Sequence, residues 1–343
     1  MGALNNFFES SNLFLNFVFF IIGMAILIKG SDFFIDSAII FARKFKISEV
    51  IIGLTLVSIG TSLPELATNV SAAFKGRTAI AMGNIAGSNI TNIALILGLS
   101  AVIVGKISFD RKILTRDSIF MVLSTILLLA FSFFFDKEIY TINKIEASIL
   151  LLLAVLYTIY LFKFRKEAAE EEEQEHETSW IKNIPMAVTI FLVGLFGIYA
   201  GSEVMVGNVI SIAKKLNIAD GVIGATIVAL GTSFPELAVT TIGVIKKKHD
   251  IALGNIVGSN IYNILLIIGI TGIIKNVDIT KFDGSPDMTM LLFTLPVALL
   301  VAVALPVFMR IKMRLGRIKG LIFIAIYIAF IILNYTGIPY INN

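Results

Sequence analysis

The sequence predicts an all-α polytopic membrane protein: ten transmembrane helices as two inverted five-helix repeats, with a broken helix in each repeat. Three observations carry that expectation. The 343 residues are 57% apolar and only 15% charged, with a mean hydropathy of +0.91, whereas soluble domains carry roughly 25% charged residues. Apolar segments long enough to cross about 30 Å of hydrocarbon recur along the chain. The chain also repeats itself. Displaced by 171 residues, 52–98 aligns with 223–269 without a gap, and more than half of the positions are identical, Pro, Glu, Asn, Ser and Gly among them.

Hydropathy places the spans at 12–42, 48–74, 79–104, 117–135, 144–163, 184–213, 219–245, 251–274, 288–308 and 318–337. The first and sixth are long enough to require strong tilt or protrusion from the bilayer. The first five-helix repeat is 12–164, with its core at 52–98, and the second is 184–337, with its core at 223–269. Between them, residues 165–183 form an acidic cytoplasmic linker containing EAAEEEEQEHE (Glu167–Glu177), whose composition favours a solvated connection. Five spans per half is an odd number, so the second half enters the membrane upside down. Inverted repeats of this kind mark secondary transporters, with the site at the repeat interface.

Connections after odd-numbered spans hold nineteen of the 28 Lys and Arg residues, and the other side holds eight. Lys29 lies within span one. The positive-inside rule then predicts a multi-pass protein of the cell membrane with both termini extracytoplasmic. The net charge of +4 is read as a topology signal. The partner required is the lipid bilayer, not nucleic acid. MGALNNFFESSN lacks a basic n-region and no cleavage pattern follows, so the first apolar run is expected to be a permanent helix. The chain has no cysteine, which excludes disulfides and thiolate metal sites. His176 and His249 are expected in charged loops. With no intramembrane His, the Ser and Thr hydroxyls have only Glu as a candidate base, so an enzyme is not expected.

Spans two and seven read GLTLVSIGTSLPELATNVSAAF and GATIVALGTSFPELAVTTIGVI. Pro64 has no N–H and its ring clashes with the carbonyl of Gly60; Pro235 does the same to Gly231, so both helices must break or kink. Carbonyls freed in a bilayer persist only when buried in protein or bonded. Beside them lie the hydroxyls of Thr61, Ser62, Thr232 and Ser233, and the carboxylates of Glu65 and Glu236. Oxygens of these three kinds ligate hard cations. A carboxylate at the bilayer centre costs about 2.5–3.5 kcal/mol on insertion scales, so two matched ones point to function.

Spans three and eight supply GNIAGSNITNI (83–93) and GNIVGSNIYNI (254–264). Asn84, Ser88 and Asn92 recur every four residues and share a helical face, as do Asn255, Ser259 and Asn263. Gly83 with Gly87, and Gly254 with Gly258, form GxxxG pairs that permit close helix approach. Two ionised glutamates carry a charge that one Ca²⁺ or two Na⁺ would neutralise. An empty site leaves buried like charges, so reorientation is expected only when loaded, which is obligate exchange.

At these motifs the chain resembles the cation/calcium exchanger superfamily, specifically its prokaryotic sodium/calcium exchangers, over nearly its whole length. The resemblance implies a secondary antiporter exchanging Na⁺ for Ca²⁺, with the transported ions as cargo and no cofactor. It implies that Glu65 and Glu236 ligate Ca²⁺ with the carbonyls of Thr61 and Thr232. Flanking Na⁺ sites would draw on the Ser58 or Ala229 carbonyls and on Ser62, Ser88, Thr232, Ser233 and Ser259, while Asn92 and Asn263 close the centre. It further implies three or more Na⁺ per Ca²⁺ and sliding of spans one and six against a fixed core. Asn263 stands where potassium-dependent relatives carry Asp, which argues against K⁺ transport. Gly87 and Gly258 stand where the proton/calcium branch has Glu, so Na⁺ is favoured over the alternative, proton-coupled exchange. Asp32 and Glu203 match across the repeat and are expected near the water interface; Lys29, without a repeat partner, pairs with Asp32 or snorkels.

Overall fold

A computed structural model describes residues 12–108, 113–134, 140–163, 183–216, 229–279, 281–282, 285–286, 288–311 and 314–336. The first helix, α1 (Leu13–Phe45), starts where the Asn12 side chain accepts from Phe14 N and stops at Lys46 in the left-handed region. Its counterpart α7 (Ile184–Lys215) starts at Asn183, which accepts from Met186 N, with a proline in the first turn. At 1.5 Å per residue each is about 50 Å long, well beyond the hydrocarbon thickness.

The two long helices cross with their backbones in contact, and glycine makes this possible. A Cβ on Gly30 would lie 2.7 Å from Ile198 N, and one on Gly201 would lie 2.5 Å from Leu27 N. Gly23 and Gly194 are equally tight, at 2.7 Å from Met205 N and Phe34 N. These four are two repeat-related pairs.

The second predicted span is broken. Helices α2 (Glu49–Thr61) and α3 (Leu63–Phe74) meet at a 46° bend, with Ser62 between them and Pro64 in the first turn of α3. Next come α4 (Thr78–Val104), α5 (Thr115–Phe133) and α6 (Lys144–Lys163). After α7 follow the short α8 (Ala229–Gly231), α9 (Phe234–Ile245), α10 (His249–Ile274), α11 (Met290–Arg310) and α12 (Arg317–Thr336). Both α4 and α10 contain a π-helical stretch, Thr91–Leu97 and Asn263–Ile268, just after the Gly-Ser-Asn-Ile of each motif. Such turns often mark functional positions because they shift the helical register.

Among the described residues, eight helices are long and apolar enough to span a membrane, or nine when α2 and α3 count as one. Nine predicted spans thus find their helices within a few residues. The seventh, expected at 219–245, is described only from residue 229, where α8 and α9 lie. Residues 217–228, the acidic run of the linker, His176 and both chain ends lie outside the described residues.

Helix α10 is the buried axis of the structure: every residue from Ile251 to Tyr262 is buried. Its polar residues Asn255, Ser259 and Asn260 are therefore buried with it and must find partners inside the protein. Its Gly254 and Gly258 sit on α2, where Cβ atoms would lie 2.9 Å from Leu54 N and 2.6 Å from Leu54 O. For Gly83 and Gly87 the repeat-related partner is 224–225, outside the described residues.

Short strands tie the loops together. Strand β1 (Lys106–Ser108) pairs antiparallel with β4 (Arg314–Gly316), and β2 (Thr141–Ile142) with β3 (Val277–Asp278). Lys248 Nζ meets Glu49 Oε1 at 3.1 Å, and Ser108 N donates to His249 Nδ1 at 3.2 Å. Loops after odd-numbered predicted spans therefore touch one another, as do those after even-numbered ones. One expectation is corrected here: His249 opens helix α10 rather than sitting in a loop, and its Nδ1 accepts from the end of a neighbouring strand.

Candidate ion-binding site

The proline breaks carry Glu65 and Glu236 inward from the first turns of α3 and α9, where both are 1% exposed. Carboxylates at helix N-termini are favoured by the backbone dipoles. Each faces the hydroxyls of the other repeat. Ser62 Oγ donates to Glu236 Oε1 at 2.9 Å, with Thr61 alongside. Glu65 lies beside Thr232 and Ser233, yet neither of its oxygens accepts a hydrogen bond.

Helices α4 and α10 form the facing walls. Thr61 Oγ1 donates to Asn255 Oδ1 at 2.9 Å and Thr232 Oγ1 to Asn84 Oδ1 at 3.3 Å. The amide nitrogens of the same asparagines are held from behind, Asn84 by Asn69 Oδ1 and Asn255 by Thr240 Oγ1, both at 3.0 Å. Asn84 and Asn255 thus aim the threonines, and with them the backbone of each break. Ser233 Oγ meets Ser88 Oγ at 3.3 Å, and Ser259 Oγ donates to the Ser58 carbonyl at 3.5 Å. Ser58 turns its own hydroxyl back to Leu54 O at 2.7 Å, and its carbonyl also accepts from Ser62 N at 3.1 Å and Thr61 Oγ1 at 3.2 Å. Ala229 begins α8 and can offer only its backbone.

Asn92 and Asn263 differ from the other asparagines. Their nitrogens donate to Asn260 Oδ1 at 3.2 Å and Asn89 Oδ1 at 3.0 Å, and both Oδ1 atoms are buried without a donor. Asn89 and Asn260 were not singled out from the sequence, although both lie in the identical Gly-Ser-Asn of each repeat. The four-residue periodicity selected the face bearing 84, 88 and 92 and passed over position 89. Asn69 and Thr240 differ between repeats, so a search for identities missed them as well.

The two sides of the site are unequal. A cavity of about 280 Å³ reaches the first break from the α7 side, lined by Gly60, Thr61, Pro64, Leu195, Tyr199 and Pro235 among others. On the α1 side, Lys246 at the end of α9 bonds Asp32 and Asp36 at 2.6 Å each. The repeat-related positions are Lys75, Glu203 and Gly207, and a glycine cannot supply the second carboxylate. Lys29 is largely exposed and only 3.7 Å from Asp32, so it is a minor partner. The break carbonyls differ too: Ser202 Oγ donates to Gly231 O at 3.3 Å, while Ser31 Oγ turns to Leu27 O in its own helix.

Among the described residues no three His, Cys, Asp or Glu side chains cluster to hold a metal. The arrangement offers two carboxylates plus neutral oxygens, a donor set for hard cations rather than zinc. The family model described as "Sodium/calcium exchanger protein" matches residues 15–163 and 186–336, one segment on each side of the linker. The chain belongs to the sodium/calcium exchanger family. It is similar to the sodium/calcium exchanger MaX1 of Methanosarcina acetivorans, 32% identical over 93% of this chain and 98% of that protein. It is also similar to the putative antiporter CaxA of Alkalimonas amylolytica, 33% identical with the same coverages. Among solved structures, the sodium-calcium exchanger NCX_Mj soaked with Na⁺ and Ca²⁺ superposes with a TM-score of 0.75 at 29% identity, over 93% of this chain and 98% of that one. As a sodium/calcium exchanger family member, the protein is a multi-pass membrane transporter and not an enzyme.

Proposed function

We propose that the protein exchanges Na⁺ for Ca²⁺ by alternating access, electrogenically and without K⁺, through one site assembled from both halves. The observation that carries this reading is a set of five unpaired acceptor oxygens: both of Glu65, Oε2 of Glu236, and the Oδ1 atoms of Asn92 and Asn263. All belong to residues at most 1% exposed. Buried acceptors with no donor are costly, and oxygens of these kinds are the ligands that a hard cation takes. Ca²⁺ would take Glu65 and Glu236 with the carbonyls of Thr61 and Thr232. Na⁺ would use the flanking Ser58 and Ala229 carbonyls and the hydroxyls of Ser62, Ser88, Thr232, Ser233 and Ser259.

In this reading the chain has ten spans as two inverted halves, 12–164 and 184–337, joined by the linker at 165–183, with both termini extracytoplasmic. Support comes from the loop contacts, which join odd with odd and even with even, as a chain that crosses the membrane at every predicted span requires. The Lys246 contacts then close the cytoplasmic side, while the cavity along α7 lies toward the site on the other. Sodium coupling is favoured by the full-length relatives named sodium/calcium exchanger. The sodium/potassium/calcium exchanger 3 of Rattus norvegicus matches over only 47% of this chain. Neutral Asn263 supports K⁺ independence, and more than two Na⁺ per Ca²⁺ would move net charge.

The test is Ca²⁺ uptake into proteoliposomes. An outward Na⁺ gradient should drive uptake without added K⁺, and an inside-negative potential should change its rate. Uptake driven by a pH gradient with Na⁺ absent would contradict sodium coupling.

A further inference from the structure

We propose that Asn89 is a positioning residue for the cation site: it decides which end of the Asn263 amide faces the ion. This rests on the site reading above, in which Asn263 offers an oxygen. A side-chain amide has an acceptor end and a donor end of nearly the same shape, and only the oxygen end can ligate a cation. Burial does not choose between them. The hydrogen-bond chain behind the residue does.

That chain begins at a backbone atom. Asn89 Nδ2 donates to the Asn260 carbonyl at 3.1 Å, and a backbone carbonyl can only accept. The orientation of Asn89 is thereby determined, and its Oδ1 is left as an acceptor. Asn263 Nδ2 donates to that oxygen at 3.0 Å. The Asn263 nitrogen is thus held away from the site and its Oδ1 is presented without a partner. Asn89 is 5% and Asn263 0% exposed, so water is a poor substitute for either bond. Because Asn89 belongs to α4 while Asn260 and Asn263 belong to α10, each half of the molecule aims a ligand of the other.

The repeat-related chain is anchored differently. Asn92 Nδ2 donates to Asn260 Oδ1 at 3.2 Å, but Asn260 Nδ2 meets Met121 Sδ at 3.6 Å. A thioether is a weak acceptor, so this second amide is held less firmly. Asn92 and Asn263 are equivalent in sequence and unequal in how they are fixed.

The experiment is equilibrium Ca²⁺ binding to the purified full-length protein, with thermal unfolding recorded in parallel. Asn89→Leu should raise the half-saturating Ca²⁺ concentration about tenfold, the lower end of the effect of losing a partner behind a metal ligand. Asn263→Ala should raise it comparably. The double variant should be within about twofold of Asn263→Ala alone, because Asn89 acts only through Asn263. Asn260→Leu should weaken binding less than Asn89→Leu. Unchanged affinity in Asn89→Leu, or effects that multiply in the double variant, would overturn the proposal. Should Asn89→Leu fail to fold, Asn89→Ser runs the same cycle with the same expected non-additivity. The site reading fails separately, if the unaltered protein binds no Ca²⁺ or if Glu65→Gln leaves binding intact.

Discussion

Glu65→Gln and Glu236→Gln should each abolish Na⁺-dependent Ca²⁺ uptake while leaving a folded protein. Glutamine keeps the shape of the side chain but removes one of the two charges and places an NH₂ where an unpaired oxygen stands. Removing one partner of a buried charge interaction costs about 3–5 kcal/mol, on the order of 10²–10⁴-fold in affinity. The fold should survive because burying a neutral amide is easier than burying a carboxylate. A difference between the two is also expected. Glu236 accepts from Ser62 at 2.9 Å and Glu65 accepts from nothing, so Glu236→Gln should lower the unfolding temperature more. Uptake above about a tenth of the unaltered rate in either variant, far more than that affinity loss permits, would show that the site does not need both carboxylates.

Gly201→Ala is expected to have the next largest effect. The added Cβ would lie 2.5 Å from Leu27 N and 2.8 Å from Gly23 O. These are backbone atoms of a helix, and no rotamer change moves them aside. The helices α1 and α7 must separate or shift along each other, and overpacking of this kind costs about 1–3 kcal/mol. Because both helices also reach the breaks, through Phe34 beside Gly60 and Ser202 on Gly231, a shift displaces the ligands as well. Gly30→Ala should behave alike. Gly197→Ala, whose nearest obstacle is Gly30 Cα at 3.2 Å, should be milder. Transport measured beside thermal unfolding should leave Gly197→Ala the most active and most stable of the three, and three equal activities would show that the crossing is not held by backbone contact.

The parts of this protein legible in the sequence are those written locally and twice. A proline one residue before a glutamate in an apolar run announces both a helix break and a buried charge, and repetition 171 residues later excludes accident. The pairings between repeats were less legible. Gly23 with Gly194 and Gly30 with Gly201 keep the same 171-residue offset, but the offset does not reveal that their backbones touch. Asn89 stayed hidden because a regular four-residue spacing was assumed, whereas α4 and α10 turn into π-helix next to the motif. The Lys246 bridge to Asp32 and Asp36 was hidden for a different reason. It joins residues more than 200 apart, and Gly207 stands at the repeat position of Asp36, so neither proximity nor repetition points to it.

The central claim is that two motifs make one site. Counting Ca²⁺ bound per chain at saturation in the absence of Na⁺ tests it most directly, on the unaltered protein and on Glu65→Gln and Glu236→Gln. One Ca²⁺ per chain, displaced by Na⁺ and lost in each variant, is the result expected of a shared site. Two Ca²⁺ per chain, with each variant losing only one, would mean that each repeat carries its own site.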